Sequence, residues 1–471
     1  VAGRSARLAR RAHAAREDGA SYDVELHHAL ARHVAGQAIV LLKNDGALLP
    51  LAASGSIAVV GEFARTPRYQ GGGSSHVNPT RLDVPLEELR AAAPDARIEF
   101  AAGFTVDGSG ADAELEAEAV RIAGAADAAV VFLGLDASQE SEGFDREHIE
   151  LPEEQLALLA QLVAVQPRTV VVLSHGGVLR LAPVAALAPA ILDGALLGQA
   201  GGGAIADVVF GAVNPSGKLA ETVPVRLQDT PAYLNFPGEG SHVRYGEGLF
   251  IGYRWYDARE LDVTFPFGHG LSYTSFRYDA LALAADGDGI RARVTVTNTG
   301  AREGREIVQA YVSLPGSAVQ RPVRWLGGFA SVELDAGETA TVDVRIEGRD
   351  LAHWHVALDR FVVEPGDYEV AVGGSSRELP LRDEVEVEGE EVRTPLTMES
   401  TLGEVLAHPI AGAIVAEQFA ALPMAQTDTA SLGMDMMRMM MSVPIERIVG
   451  FAQGQVSREQ IAELIDAANA G

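Results

Sequence analysis

The 471-residue chain contains no cysteine, so disulfide bonds and thiolate metal sites are both impossible. This absence fits a reducing compartment and favours the cytoplasm as its location. No apolar run approaches the roughly 20 residues that span a bilayer, so we expect no membrane partner. The chain begins at Val1 with an arginine-rich stretch that could be the tail of something longer, so a missing signal peptide says nothing about export.

Lysine is almost absent, occurring only at Lys43 and Lys218, and the net charge is −28. This charge argues against nucleic acid or an anionic membrane as partner, because both would be repelled. The phosphate-binding patterns G-x-x-x-x-G-K-[ST] and G-x-G-x-x-G are also missing. The glycine-rich segment 71–75 is therefore not expected to cradle a nucleotide.

Apolar strands alternate with helical stretches over the first half of the chain. Residues 57–63, 97–102, 128–135, 169–174 and 189–196 are apolar throughout or nearly so, and helical patterns separate them. Strands of this kind indicate a mainly parallel sheet covered on both faces, an α/β fold. Before them, residues 21–42 have helical spacing behind Ser21, a candidate cap. The adjacent His27 and His28 point about 100° apart on a helix and are not expected to share a metal ion.

A loop crowded with carboxylates follows the strand 128–135. It holds Glu140, Glu142, Asp145, Arg146, Glu147 and Glu150. Like charges raise one another's pKa, while Arg146 should lower that of its nearest partner, so a carboxylic acid poised to give up a proton could arise here. Gly143 lets the backbone turn and present Glu142 outward. The alternative is an ordinary solvated acidic loop.

The loop after the strand 57–63 is rich in glycine and small polar residues. Groups suited to sugar hydroxyls are supplied by Gln70, Ser74, Ser75, His76 and Asn78. If the strands are parallel, this loop and the acidic loop leave the same edge of the sheet, where open α/β sheets bind ligands. A purely structural glycine turn remains the alternative.

Six blocks of sequence resemble family 3 glycoside hydrolases, the β-glucosidase family, in the same order. ESEGFDR followed by LPEEQ is similar to the family's acid/base loop, and the other blocks are LLKNDGALLPL, RYQGGGSSHVNP, GQAGGGAIADVVFGAVNPSGKLAETVP, EGLFIGYRWYD and FPFGHGLSYTSF. The resemblance implies that Glu142 is the proton donor. It also implies that no metal or organic cofactor is needed.

The resemblance, with the change of pattern along the chain, predicts the domain organisation. We expect a mainly parallel α/β sandwich, then an antiparallel β-sandwich of fibronectin type III-like fold, then a small C-terminal helical segment. The predicted limits are 1–26 for a linker or the end of a missing barrel, 27–225 for the α/β sandwich, 226–285 for the connection, 286–392 for the β-sandwich and 393–471 for the helical tail.

The family places its nucleophile on a preceding (β/α)8 barrel, and the barrel's motifs are absent from this sequence. Trp255, Trp325 and Trp354 follow Arg, Arg and His rather than Asp, and neither lysine precedes a histidine. The resemblance therefore implies a retaining β-glycosidase, most simply a β-glucosidase hydrolysing terminal β-D-glucosyl residues of a β-glucoside or short β-linked oligosaccharide. The barrel would be supplied in cis on a longer precursor or in trans.

Several alternatives stay open at this point. The chain could be a β-xylosidase or other β-glycosidase of the family, or a non-catalytic carbohydrate-binding or scaffolding protein that has lost its barrel. Asp145 and Arg146 could contact substrate or only hold the loop in shape. Two positions depart from the family, which usually has Asn at His175 and often has Trp at Ala195.

The tail contains a stripe of methionines. Its members are Met434, Met436, Met437, Met439, Met440 and Met441. We interpret the stripe as core or as a subunit contact, which would make a homo-oligomer, and an adaptable binding face is the alternative.

Overall fold

The computed structural model describes residues 22–106, 110–392, 395–420, 436–451 and 457–470. These residues form two compact units. The first contains the described residues up to Leu351 together with Pro365–Glu388, and the second contains Ala352–Glu364 and the described residues from Gly389 onwards. Within the described ranges, no helix combines the length and the apolarity that crossing a membrane requires. The predicted domain limits stay predictions.

A six-stranded sheet forms the centre of the first unit. Its strands are β1 (Val40–Asn44), β2 (Ser54–Val60), β3 (Asp95–Ala101), β4 (Ala128–Gly134), β5 (Thr169–Ser174) and β6 (Ala190–Asp193), in the order β1-β6-β5-β4-β2-β3. Strands β2 to β6 are parallel, whereas β1 joins the edge antiparallel to β6. Every residue of β4, β5 and β6 is buried, because both faces of the sheet are covered.

One helix precedes the first strand, and the other helices of the sheet domain lie between or after the strands. The helices are α1 (Val24–Ala38), α2 (Pro85–Ala92), α3 (Ala113–Ala125), α4 (Glu153–Val165), α5 (Ala182–Leu187) and α6 (Gly201–Val209). The predicted mainly parallel α/β fold is confirmed by this arrangement. The helical pattern over residues 21–42 extends beyond the helix that forms. Helix α1 ends at Ala38, and the residues after it form β1, which pairs with β6.

The N-cap of α1 also differs from the sequence prediction. Ser21 lies outside the described residues, and the Asp23 carboxylate accepts the Leu26 N–H at 3.0 Å. The apolar residues whose spacing predicted this helix point outward, with Leu26 65% and Leu30 58% exposed. The helix instead buries the small and polar side of its surface, including His28.

The strand order reverses direction between β2 and β4. From β2 the chain adds β3 on one side, then crosses to place β4 on the other side, and β5 and β6 continue outward from β4. In open α/β sheets such a reversal leaves a crevice at the carboxyl ends of the two strands, where ligands bind. The loops that leave β2 and β4 meet at this crevice.

A short connection leads from the sheet to a β-sandwich in the same unit. It includes β7 (Val223–Pro224), α7 (Tyr253–Ala258) and β8 (Val263–Phe265), and β7 pairs with β8. The sandwich strands are β9 (Phe276–Asp286), β10 (Gly289–Asn298), β11 (Gly304–Ser313), β12 (Trp325–Leu334), β13 (Thr339–Ile346), β16 (Gly366–Gly373) and β17 (Leu381–Val387). A short helix, α8 (Gly348–Leu351), follows β13.

The sandwich strands form two antiparallel sheets, in the orders β13-β10-β9 and β12-β11-β16-β17. Side chains alternate between buried and exposed along β10 and β13, as expected for strands with one covered face. Tyr311 and Tyr368 are among the largest fully buried side chains of the core. The predicted antiparallel sandwich is confirmed.

The second unit has a small hairpin and a cluster of helices. The hairpin pairs β14 (His353–His355) with β15 (Arg360–Val362), and the helices are α9 (Leu402–Ala407), α10 (Ala411–Ala420), α11 (Met436–Met441), α12 (Ile445–Phe451) and α13 (Arg458–Ala470). A capping box between Thr401 and Glu404 begins α9. The predicted helical tail is thereby confirmed.

The methionine stripe divides between core and surface. Met440 is 4% exposed and lies in the apolar cluster of the second unit, whereas Met439 is 48% exposed. Met434 lies outside the described residues. The interpretation as core therefore holds for Met440, while the subunit contact stays a prediction.

Candidate functional site

The acidic loop, residues 135–152, leaves the carboxyl end of β4 and is anchored through Glu140. The Gly176 N–H donates to Oε2 of Glu140 at 2.5 Å, and the Gly177 N–H donates to Oε1 at 2.7 Å. Two guanidinium groups lie just beyond, with Arg68 at 3.8 Å and Arg146 at 3.9 Å from the carboxylate. Charge-assisted bonds to backbone amides are strong, so Glu140 fastens this loop to the turn that follows β5.

Glu142 projects from the same loop into the crevice between β2 and β4. Its Oε2 accepts the Ser74 N–H at 2.5 Å, which joins the acidic loop to the loop after β2. Gly73 has φ +66°, and a Cβ there would collide with the side chain of Glu142. Glycine at this position therefore permits the close approach of the two loops.

The backbone hydrogen bond from Ser74 lowers the pKa of Glu142 below its usual range. This differs from the expectation that crowded like charges would raise it. The side chain of Glu142 is exposed, so water solvates its charge, and the Ser74 N–H stabilises the charged form further. Arg146 faces Glu140 instead. In this chain Glu142 is a carboxylate stabilised in its charged form.

Two other residues predicted to bind sugar, Gln70 and Ser75, form hydrogen bonds within the loop after β2. Gln70 accepts the Val77 N–H and donates to the Val77 carbonyl, both at 3.0 Å, and the Ser75 hydroxyl donates to the Gly72 carbonyl at 2.8 Å. Their side chains close the turn that presents the Ser74 N–H.

Arg146 and Asp145 have different surroundings. Arg146 donates to the Val178 carbonyl at 2.9 Å and faces Glu140, so it holds the loop in shape. Asp145 is exposed, as are His76 and Asn78 in the loop after β2. The structure thus brings Ser74 and Glu142 together and places Arg146 behind them.

A buried histidine, His175, lies in the turn that anchors the acidic loop, at a position where the family usually has Asn. His175 follows β5 directly and is 4% exposed. Its Nδ1 lies 2.8 Å from the Gly177 carbonyl oxygen, and its Nε2 lies 3.2 Å from Oδ1 of Asp193, at the end of β6. His175 directly follows β5 and Asp193 ends the adjacent parallel strand β6, so the sequence could have placed the two residues at the same edge of the sheet.

Electrostatics couple this histidine to its neighbours. Burial by itself would lower the pKa of His175, but the Asp193 carboxylate and the Gly177 carbonyl outweigh burial and raise it. Loss of contact with water raises the pKa of Glu221, and the Asp193 carboxylate adds to this effect, although the nearby His175 and Arg146 lower it. Nothing in the sequence linked Glu221 to this edge of the sheet.

Ala195, where the family often has Trp, has φ +43° and donates its N–H to Asp193 at 2.9 Å. It offers no aromatic surface here. Among the described residues, no group of three or more His, Asp or Glu side chains is arranged to hold a metal ion.

Comparison with known proteins accounts for this arrangement. Residues 39–273 match the family model of the glycosyl hydrolase family 3 C-terminal domain, and residues 306–376 match that of the fibronectin type III-like domain. The chain carries the C-terminal part of glycoside hydrolase family 3. The resemblance inferred from the six sequence blocks is thereby confirmed.

Similar curated proteins from this family are named glycosidases. Thermostable beta-glucosidase B of Acetivibrio thermocellus is 42% identical over 465 residues, covering 96% of this chain and 61% of that protein. Exo-alpha-(1->6)-L-arabinopyranosidase of Bifidobacterium longum is 46% identical over 415 residues, covering 86% of this chain and 54% of that protein. The chain thus spans between half and two thirds of the length of these relatives.

Solved structures of the family have the same fold. The family 3 β-glucosidase of Bifidobacterium adolescentis matches with a TM-score of 0.80 and 46% identity, covering 85% of this chain and 59% of that one. A β-glucosidase of Streptomyces venezuelae in complex with D-glucose matches with a TM-score of 0.73 and 28% identity, covering 78% and 60%.

Proposed function

We propose that this chain supplies the acid/base residue, Glu142, of a retaining β-glycosidase whose nucleophile lies on a (β/α)8 barrel. The observation that carries the proposal is the position of Glu142, at the carboxyl end of β4 and bonded to the Ser74 N–H from the loop after β2. That position is the crevice where the strand order of the sheet reverses. A carboxyl group held there can face a ligand from above the sheet.

The chemistry requires a second carboxyl group. A retaining glycosidase places a nucleophile about 5 Å from its acid/base residue, and the two residues form and then hydrolyse a glycosyl-enzyme intermediate. Glu142 would protonate the leaving oxygen and then deprotonate the attacking water. The sequence contains no motif for the nucleophile, so we assign it to the barrel that family 3 enzymes carry.

The lowered pKa of Glu142 is consistent with an active site shared between this chain and a barrel. With solvent around it and the Ser74 N–H bonded to it, the carboxylate stays charged. A barrel and a sugar packed over it would remove water from the carboxylate, and burial raises the pKa of a carboxyl group. The proton donor would therefore form only when the two parts and the substrate meet.

The substrate we favour is a terminal β-D-glucosyl residue of a β-glucoside or short β-linked oligosaccharide. The named β-glucosidases among the relatives support it. A second candidate is an exo-acting arabinopyranosidase, because the relatives with that name are 46% identical to this chain. Hydrolysis rates on aryl β-D-glucopyranoside and aryl α-L-arabinopyranoside would decide between them.

The decisive test is hydrolysis by this chain alone and after mixing with a separately produced family 3 barrel. We expect turnover only in the mixture. Glu142→Gln in the mixture should slow hydrolysis most for aglycones that are poor leaving groups, because these depend most on protonation. Glu147→Gln changes an exposed carboxylate of the same loop and serves as the matched control.

Each other outcome contradicts a named part of the proposal. Turnover by the chain alone would mean that it contains its own nucleophile. Equal slowing of all aglycones by Glu142→Gln would argue against the proton-donor role. If the two parts associate and the mixture binds sugar without turnover, the chain is a carbohydrate-binding protein rather than half of an enzyme.

A further inference from the structure

His175 faces an oxygen acceptor with each of its ring nitrogens. The Gly177 carbonyl oxygen lies 2.8 Å from Nδ1, and a carbonyl can only accept, so Nδ1 carries a hydrogen. On the other side, Asp193 Oδ1 lies 3.2 Å from Nε2, close enough for an ion pair although the direction is not that of a hydrogen bond. A neutral ring would turn a lone pair toward one of these oxygens. The doubly protonated imidazolium fits both contacts.

The groups packed around the ring favour this charged form. Asp193 reaches it from the end of β6, Glu221 faces it from the segment before β7, and both are acidic. Arg146 is the cation of the acidic loop at this cluster, and it lies against Glu140. Burial opposes the charge, yet the net effect raises the pKa of His175 above its ordinary value.

The turn held by His175 is the anchor of the acid/base loop. The ring bonds to the Gly177 carbonyl, while the N–H groups of Gly176 and Gly177 donate to both oxygens of Glu140. Glu140 lies two residues before Glu142 in the chain. A shift of the turn would therefore move the amides that hold Glu140, and Glu142 would move with it.

We propose that His175 is a positioning residue whose imidazolium form holds the acid/base loop in place, so that loss of its proton loosens Glu140 and disorders Glu142. This inference rests on the proposed function and adds its regulation by pH. Above the pKa of His175 the ring releases a proton to solvent, and either the bond to Gly177 or the attraction to Asp193 is lost. Activity should fall on the alkaline side for this reason.

The first test is the titration of His175 in this chain by NMR of 13C-labelled histidine. The chain has 12 histidines, and the signal that disappears in His175→Asn belongs to His175. We expect a single titration above the ordinary histidine pKa of about 6.5. A ring that is neutral at every pH where the chain is folded, or one that keeps its charge throughout, would overturn the proposal without any assay of activity.

The second test is the pH profile of kcat/KM for the mixture of chain and barrel. Above the NMR-measured pKa of His175, we expect kcat/KM to fall about tenfold for each pH unit. In His175→Asn the side-chain amide can donate without titrating, so the part of the fall that follows the His175 titration should be absent. His148→Asn, which changes an exposed histidine of the same loop, should leave the profile unchanged.

Glu140→Gln separates positioning from a merely structural role of the histidine. The variant should keep the His175 titration, have lower activity at every pH and lose the part of the profile that follows His175. An unchanged fall in His175→Asn would overturn the inference. If Glu142→Gln leaves hydrolysis intact, the proposed function fails instead, and the NMR titration still stands on its own.

Discussion

At the scale of single residues, Glu140 and Glu142 of the acidic loop have different roles. Glu140 is largely buried and bonds to two amides, while Glu142 is exposed and bonds to one. Counting charges along the sequence could not separate these two environments. Glu142 needs further burial before it can donate a proton, which makes its approach to Ser74 the sensitive contact of the site.

Gly73→Ala should disturb that contact directly. Gly73 has φ +66°, and an added Cβ would collide with the Glu142 side chain. We expect a loss of stability of about 1 kcal/mol from the backbone strain and, in the mixture with barrel, a loss of kcat. Gly110→Ala is the matched control, because φ there is +86° and no atom lies within 4 Å of the added Cβ. Equal activity of both variants would show that the approach of Gly73 to Glu142 does not matter.

At the scale of elements, one glutamine fixes the start of the acidic loop. Gln155 in α4 is 3% exposed, accepts the Gly134 N–H at 3.0 Å and donates to the Gly134 carbonyl at 2.9 Å. Gly134 is the last residue of β4, so this paired bond sets the point at which the loop leaves the sheet.

Gln155→Ala should therefore destabilise the first unit and loosen the loop. Two buried backbone groups would lose their partners, at a cost of about 1–3 kcal/mol each before relaxation. Urea unfolding should show this loss, and hydrogen exchange at residues 134–140 should become faster. Gln161→Ala removes an exposed glutamine of the same helix, and we expect a change below about 0.5 kcal/mol. Similar losses in both variants would contradict the role of Gln155.

The strands of the sheet differ in how well the sequence alone predicts them. Strands buried on both faces, such as β4 and β5, were predictable because their apolar runs require no knowledge of the partner strands. Strand β1 was not, since its residues continue a helical pattern and only pairing with β6 makes them extended. The placement of Glu142 at a sheet edge was predictable, whereas Gly176 as a partner of Glu140 and Asp193 as a partner of His175 lie more than 15 residues away along the chain.

At the scale of the first unit, a buried ion pair joins the sheet domain to the β-sandwich. Lys218 follows α6, and its Nζ lies 3.2 Å from Oε1 of Glu306 in β11. The Tyr278 hydroxyl donates to the same oxygen at 3.1 Å. Burial raises the pKa of Glu306 although Lys218 and Tyr278 oppose this, so the charged carboxylate is tolerated there only with its partners.

Lys218→Met should leave that carboxylate buried without its cation, and we expect a loss of about 3–5 kcal/mol near neutral pH. A carboxyl group whose pKa is raised in the folded state costs stability when it ionises, and this cost disappears as the pH falls and the group takes up a proton. Urea unfolding should therefore show a smaller loss at about pH 5 than at about pH 7. Arg293→Met breaks an exposed pair with Asp343 and should cost less than about 1 kcal/mol at either pH. A loss that is the same at both pH values would mean that Lys218 acts through packing rather than through the charge of Glu306.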